Sequence, residues 1–350
     1  MNISRRSAIS LAGAAVIGCL LLSLTAGAAV EKPIVIRLGI HHFGRTASGS
    51  VVARAAADQV GWQLPNGDVG GFGPQTFLVG KDRSIWLDDG LNNRLLVYRA
   101  GRAGVVARVV PLGFATADSS VALGPAGSIY TTRFLGNGRD HNYRLVLDHQ
   151  TAAGKLIWET RLPSFGTGSS AEFCGALQAG PGGTLYCIGP HETWIPVATA
   201  AGAPIPPAEQ RRATGPEPVG GGLRLVSHEF APIRASHSVG FSLTNRRGSV
   251  VWTWRIFSRS AITDYRALAV VSREPVVLLD IQHAAATSVA WDYVVLRLGS
   301  GGTVPRVTLR HAVYGDNLLP DVRLGPDGAV YQLASSPKTG VAVSRYSLGR

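Results

Sequence analysis

After residue 30 the sequence holds no amphipathic helical stretch of convincing length, which argues against an α-helical or α/β core. Lysine is scarce, since 30 of the 34 basic residues are arginine. The arginines are scattered, and their densest runs are the doublets Arg211-Arg212 and Arg246-Arg247. A nucleic-acid binder would show a Lys/Arg-rich run or a known module. Neither is present. The net charge of +12, or +10 without Arg5 and Arg6, is therefore read as a solvated surface. Weak attraction to an acidic envelope polymer or lipid surface is the sharper alternative. Enzyme signatures are missing too: no G-x-S-x-G elbow, HExxH, Walker A or EF-hand loop occurs. Carboxylates are few, and no sequence-local pair points to acid/base work. Gly70-Gly71-Phe72-Gly73 and Gly220-Gly221-Gly222 precede no helix, which excludes a helix-terminus phosphate cradle.

Hydrophobic residues make up 45% of the 350, enough for a large core, and glycine is frequent at 43. Frequent Gly among β-branched residues suits short strands joined by turns. Residues 1–28 read as a targeting segment outside the fold. Arg5 and Arg6 form its basic start, Ala8 to Leu24 its apolar run, and Ala26-Gly27-Ala28 its cleavage site. Ser4-Arg5-Arg6 resembles the start of a twin-arginine signal, but Ala8-Ile9 replaces the usual Phe-Leu. Val16-Ile17-Gly18-Cys19 resembles a lipobox, yet Leu20-Leu21-Leu22 continues apolar where a lipoprotein turns polar. The expectation is an extracytoplasmic chain, secreted or periplasmic, without stable membrane insertion after cleavage; an N-terminal membrane anchor is the alternative. Cysteine is rare, at three residues. Cys19 leaves with the signal, and Cys174 and Cys187 flank the turn Gly180-Pro181-Gly182-Gly183. They are a disulfide candidate on the arms of a hairpin, or else two buried, reduced cysteines.

A repeat organises the rest. From Gln75 to Gly113 the pattern reads strand, turn, strand, polar loop, strand, turn, strand: four antiparallel strands, one propeller blade. Its centre, SIWLDDGLNNRLLVY, resembles the heart of an NHL repeat. That match covers one blade. Elsewhere a coarser unit recurs, an apolar residue, a Gly-Pro turn and an aromatic, at Pro125, Pro181 and Pro326. Weaker members turn near Gly221 and Arg273. Successive turns lie roughly 40–56 residues apart, a blade with variable loops. Gly154 to Arg161 and Gly248 to Arg255 resemble the Trp-bearing outer strands of quinoprotein propellers. The rest of that pattern is missing, so these Trp residues are read as packing between blades. The predicted fold is all-β, a six-bladed β-propeller of four-stranded blades. The ring is expected to close through the N-terminal strand Pro33 to Gly39, completing the last blade, with a loop-face insertion over about 40–74. Within that insertion only the apolar Val51-to-Ala57 piece stands out.

Propeller geometry gathers certain loops on one face. The ligand-binding candidates there are His41, His42, Asp88, Asp89, Arg133, His141, His191, Glu192, His283 and His311. Asp140, Glu229, His237 and Asp316 accompany them. Seven of the nine histidines fall on this face. No cofactor is predicted, because no two of these residues show a metal-ligand spacing. Zn or Ca in the channel mouth is the alternative. Asp88-Asp89 with Asn92-Asn93-Arg94 has a structural reading of its own, as side chains that organise a turn. The expected role is a binding scaffold for a partner protein or envelope glycan. The alternative is a metal-dependent lyase or hydrolase at the channel mouth.

Overall fold

A computed structural model of the chain describes residues 33–38, 47–65, 71–112, 120–135, 144–162, 176–188, 193–220, 222–228, 236–271, 274–284, 289–299, 304–310, 312–314 and 321–348. It is an all-β fold with a propeller-like arrangement of sheets. Two strands, β1 (Ile34–Arg37) and β2 (Ser50–Ala55), precede the repeats. The Gln75–Gly113 unit folds as expected. Strands β3 (Phe77–Val79), β4 (Ile85–Asp89), β5 (Arg94–Tyr98) and β6 (Val106–Pro111) pair antiparallel in that order. The second sheet is β7 (Val121–Leu123), β8 (Ile129–Leu135), β9 (Arg144–Gln150) and β10 (Leu156–Arg161). The third has three described strands, β11 (Ala176–Ala179), β12 (Leu185–Ile188) and β13 (Trp194–Ala198), followed by the short helix α1 (Pro207–Ala213). Cys187, fully buried on β12, is disulfide-bonded. Cys174, its expected partner, lies outside the described residues.

The Gly-Pro turns owe their form to one repeated contact. Gly124, Gly180 and Gly325 each donate N–H to the carbonyl four residues on, at 2.7–2.8 Å, and Gly80 does the same in the first sheet. A Cβ at Gly124, Gly180 or Gly325 would collide with Tyr130, Tyr186 or Tyr331. Glycine therefore lets the following tyrosine ring lie flat on the turn, and that is why the aromatic recurs at a fixed distance.

The fourth sheet departs from expectation. Strands β14 (Glu217–Gly220), β15 (Leu223–His228), β16 (Ser236–Thr244), β17 (Val250–Val271), β18 (Glu274–Ala284), β19 (Val289–Arg297) and β20 (Arg306–Arg310) form one sheet, with β1 added to make eight. The 22-residue β17 pairs with β16 through its first half and with β18 through its second. The two halves of the sheet pack face to face over a core that includes Val239, Phe241, Trp254, Ile256, Ile262, Leu279 and Leu296. The last sheet is β21 (Val322–Leu324), β22 (Val330–Ser336), β23 (Gly340–Tyr346) and β2. Six separate four-stranded blades are thus not what the strands show. Four sheets have the size of a blade, and the fifth joins eight strands.

Ring closure is also corrected. The strand that completes the last sheet is β2, antiparallel to β23, and not residues 33–39. Those residues instead run parallel to β17, Ile34 opposite Trp254 and Arg37 opposite Phe257. Side-chain size explains the exchange. Gly340 at φ +81° would drive a Cβ into the Ala55 carbonyl, and a Cβ at Gly49 would strike Tyr346. The backbones thus lie close at Gly340, and β2 brings Ala53 and Ala55, both buried. The bulkier β1 buries Ile36, and Leu38 beyond it, in the core of the eight-stranded sheet, where the Arg37 and Arg255 guanidiniums flank the Phe257 ring at 5.3 and 5.1 Å. Trp158 and Trp254 pack in the cores, as expected. Their indole N–H groups donate to the carbonyls of Gly202 (2.8 Å) and Gly299 (2.9 Å). Among the described residues no helix is long and apolar enough to cross a membrane.

Candidate binding site: a charged collar on the inner strands

Inner strands of neighbouring sheets adjoin: β3 touches β7, β7 touches β11, and β21 touches both β17 and β3. The residue just before three of these strands occupies one equivalent place. Thr76, Ser120 and Asp321 each accept, through the backbone carbonyl, an N–H from the residue twelve further on, at 3.2, 3.0 and 2.8 Å. All three side chains are polar and buried. They stitch sheet to sheet. Arg266 on β17 donates Nη2 to Asp321 Oδ1 at 2.7 Å. Arg323 on β21 donates Nη2 to Thr76 Oγ1 at 3.2 Å. The Leu177 N–H donates to Ser120 Oγ at 2.7 Å, and Gln178 Nε2 donates to the Leu268 carbonyl at 3.1 Å. A polar collar thus runs around the inner strands.

The collar is most charged between β17 and β3. Asp264 and Asp280 stand opposite each other on β17 and β18, with Tyr293 opposite Asp280 on β19. Arg266 lies two residues along from Asp264 and so shares its face. Protein surrounds the Arg266 guanidinium, yet its side chain keeps 31% of its surface accessible. Asp264 is likewise enclosed by the fold but exposed to solvent. Burial pushes the Asp280 carboxyl up to about 7; Arg266 opposes this, and Asp264 and Asp321 add to it. Burial also raises Asp264, against its hydrogen bond from the Tyr265 N–H and the nearby Arg266. Arg323 is pulled down to about 10 by burial and by Arg266, with Asp321 and Asp88 working the other way. For Arg266, burial opposes the charge, but Asp321, Tyr293 and Asp280 outweigh it and hold the group above its ordinary value. Four atoms of this cluster are buried without a hydrogen-bond partner: Arg266 Nε, Arg323 Nε, Asp280 Oδ1 and Asp321 Oδ2. Two are donors and two are acceptors, and leaving them unmet costs about 1–3 kcal/mol each.

The expected loop-face residues distribute differently. Asp88, the penultimate residue of β4, is buried within the electrostatic reach of Arg323. Asp89 is consumed by its own turn. It accepts from the Gly61 N–H (2.8 Å), from Asn92 Nδ2 (2.9 Å to Oδ2) and from Arg94 Nε (2.7 Å), while Asn93 takes the left-handed conformation at φ +51°. Its role is the turn-organising one. Arg133 is not in a loop. It lies on β8 and pairs with Asp148 at 2.7 Å and with Glu159, because the β8, β9 and β10 register brings all three onto one face. His283 and His237 likewise sit on strands, β18 and β16, each one residue from its end. His41, His42, Asp140, His141, His191, Glu192, Glu229, His311 and Asp316 lie outside the described residues. Among the described residues no group of three or more His, Cys, Asp or Glu is placed to hold a metal ion.

Sequence reasoning missed Asp264, Arg266, Asp280, Asp321 and Arg323. A signal was present for the second-strand member: Asp280 interrupts the apolar run Val276 to Ile281, and a charge inside an otherwise apolar strand requires a partner.

No protein-family model matches the chain, and no curated protein matches it. Among solved structures it is similar to a catalytically inactive virginiamycin B lyase from Staphylococcus aureus with quinupristin. That match has 15% identity and a TM-score of 0.33, and covers 81% of this chain and 83% of that one. BBS1N in complex with ARL6DN matches at 12% identity and a TM-score of 0.28, over 89% of this chain and 98% of that one. A eukaryotic initiation factor matches at 9% identity and a TM-score of 0.32, over 82% and 79%.

Proposed function

We propose that this chain is an extracytoplasmic binding protein that takes a hydroxyl-rich ligand, an envelope glycan, at the charged collar. The observation that carries this reading is the set of four unmet atoms, two N–H donors and two carboxylate oxygens, beside the partly exposed Arg266 side chain. A hydroxyl group both donates and accepts, so one sugar ring can satisfy a guanidinium and a carboxylate together. An anion would meet the carboxylates of Asp264, Asp280 and Asp321, and a cation would meet Arg266 and Arg323. The mixed composition favours a neutral polyol over either.

On this reading the eight-stranded sheet is two four-stranded units sharing β17, which makes six units around the ring, and residues 1–28 are an export signal. The NHL-like blade is the unit that carries Asp88 and Thr76 to the collar. The test is calorimetric titration of the mature chain with neutral oligosaccharides (maltotriose, cellotriose, chitotriose). Saturable binding of at least one, weakened about tenfold or more by Arg323→Met, is expected. No binding of any, together with recovery of a protein ligand, would move the function to the partner-protein alternative.

A further inference from the structure

The outer edges of the sheets are covered unevenly. Beyond the first half of β17 lies β1, and beyond β23 lies β2. The Ala47 N–H donates to the Thr308 carbonyl on β20 at 3.0 Å. The chain on either side of α1 covers β13, with the Ile205 N–H on the Val197 carbonyl (3.0 Å) and the Gly215 N–H on the Trp194 carbonyl (3.2 Å). Among the described residues β6 and β10 have no strand beyond them. On these two strands, or one residue before, stand Val105, Val106, Val109, Leu156 and Ile157, five of the nine exposed large apolar side chains among the described residues. The two edges are neighbours. A Cβ on Gly154, in the turn into β10, would strike the Pro111 carbonyl at the end of β6.

The edge of β6 also offers backbone groups. Leu112 donates its N–H towards β5, to the Asn93 carbonyl at 2.7 Å. Backbone groups alternate along a strand, so Val110 faces β5 too, and the N–H and C=O of Val109 face the open side. Such an edge is a template for one more strand, and β1 on β17 is an outer strand of this protein already extended in that way. The charge selects the occupant. No acid occurs from Gly90 to Gly113, whereas Arg99, Arg102 and Arg108 are exposed there. Lys155 and Arg161 add two exposed cations at β10, whose one acid, Glu159, pairs with Arg133. Two copies of β6 would set these cations against their own kind. A membrane's hydrocarbon would leave the edge N–H and C=O groups without partners. An acidic polypeptide meets both demands. We propose that this edge docks an extended acidic segment of a partner protein, added as a strand to β6 with its apolar side chains on the exposed valines. The surface shares no residue with the collar, so either reading can fail alone.

The test uses the full mature chain and two labelled, end-blocked peptides followed by fluorescence anisotropy. One alternates Glu and Val, the other Lys and Val. Saturable binding of the acidic peptide is expected, with the basic one at least about tenfold weaker. Val109→Pro removes the outward N–H from an edge strand, a place that tolerates proline, and should weaken the acidic peptide about tenfold or more with thermal unfolding unchanged. Arg323→Met in the collar should leave peptide binding as it is. No saturable binding of the acidic peptide by the folded wild-type chain overturns the proposal. So does equal affinity for the two peptides, and so does a folded Val109→Pro chain that binds as the wild type does. Adsorption to phosphatidylglycerol vesicles without peptide binding overturns it in favour of a membrane surface. If Val109→Pro fails to fold, an acidic peptide N-methylated on alternate amides takes its place, and undiminished binding of that peptide overturns the proposal.

Discussion

Two aspartate clusters, one at the end of β4 and one on the inner strands, differ in how completely their hydrogen bonds are met. In the Asp89 turn the carboxylate takes bonds from Gly61, Asn92 and Arg94, and is closed to solvent. In the collar, Asp280 and Asp321 each keep a buried oxygen unmet, and Arg266 and Arg323 each keep a buried Nε unmet. The first cluster is local in sequence and satisfied. The second is assembled from distant strands and unsatisfied. A satisfied network stabilises, whereas an unsatisfied one that solvent partly reaches keeps bonding capacity for a ligand.

Four substitutions sharpen that contrast or break it. Asp89→Ala should cost the most, about 4 kcal/mol in urea unfolding, because it strands Arg94 and the backbone of the turn; oligosaccharide affinity should not change. Arg266→Met should cost about 3 kcal/mol, since Asp321 would be left buried without its cation, and it should also abolish oligosaccharide binding. If Asp89→Ala abolishes binding and Arg266→Met does not, the contrast is reversed.

Asp280→Asn should act the other way. The folded-state value of Asp280, about 7, lies above its ordinary 3.8. Its contribution is therefore full below about pH 4 and is lost as pH rises through 7. The amide should leave stability unchanged near pH 4 and raise it by about 2 kcal/mol at pH 8, less than the full shift implies because Asp280 is only partly buried and solvent screens it. A pH–stability curve as steep as the wild type's would refute this.

The smallest effect is expected at His149, which stacks on Tyr130 at 4.4 Å with Trp158 at its edge. Neither ring nitrogen has a partner in hydrogen-bond geometry; the nearby Gly202 carbonyl accepts from Trp158. Burial lowers the imidazole from its ordinary 6.5. Stability is then full above that value and falls as pH drops below it. His149→Phe should change stability by less than about 1 kcal/mol at pH 7 and flatten the acid limb in thermal melts.

Much of the strand pattern was legible, and for identifiable reasons. Gln75 to Gly113 alternates cleanly between turn residues and β-branched or aromatic ones, and the Gly-Pro-to-tyrosine spacing reflects a contact that glycine alone permits. Partner choice was not legible. Val51 to Ala57 is alanine-rich and reads weakly as a strand, while Pro33 to Gly39 reads strongly. The last sheet nevertheless takes the small residues, and only the close approach at Gly340 shows it. The fused sheet was hidden because no Gly or Pro interrupts Val250 to Val271, where β17 passes from pairing with β16 to pairing with β18. The collar was hidden most completely. Asp264, Arg266, Asp280, Asp321 and Arg323 share no motif, and the ring alone brings them together.

Closure by β2 has a consequence for how the molecule is made. The strand leaves the ribosome about 290 residues before its partner β23. At roughly 5–20 residues per second, that is a wait of about 15–60 s. Until then both edges are open, and each can pair with another chain. The pairing of β2 with β23 therefore joins segments synthesised far apart in time. A helper that shields residues 50–55 during synthesis or transit would act on yield while leaving the finished molecule unchanged.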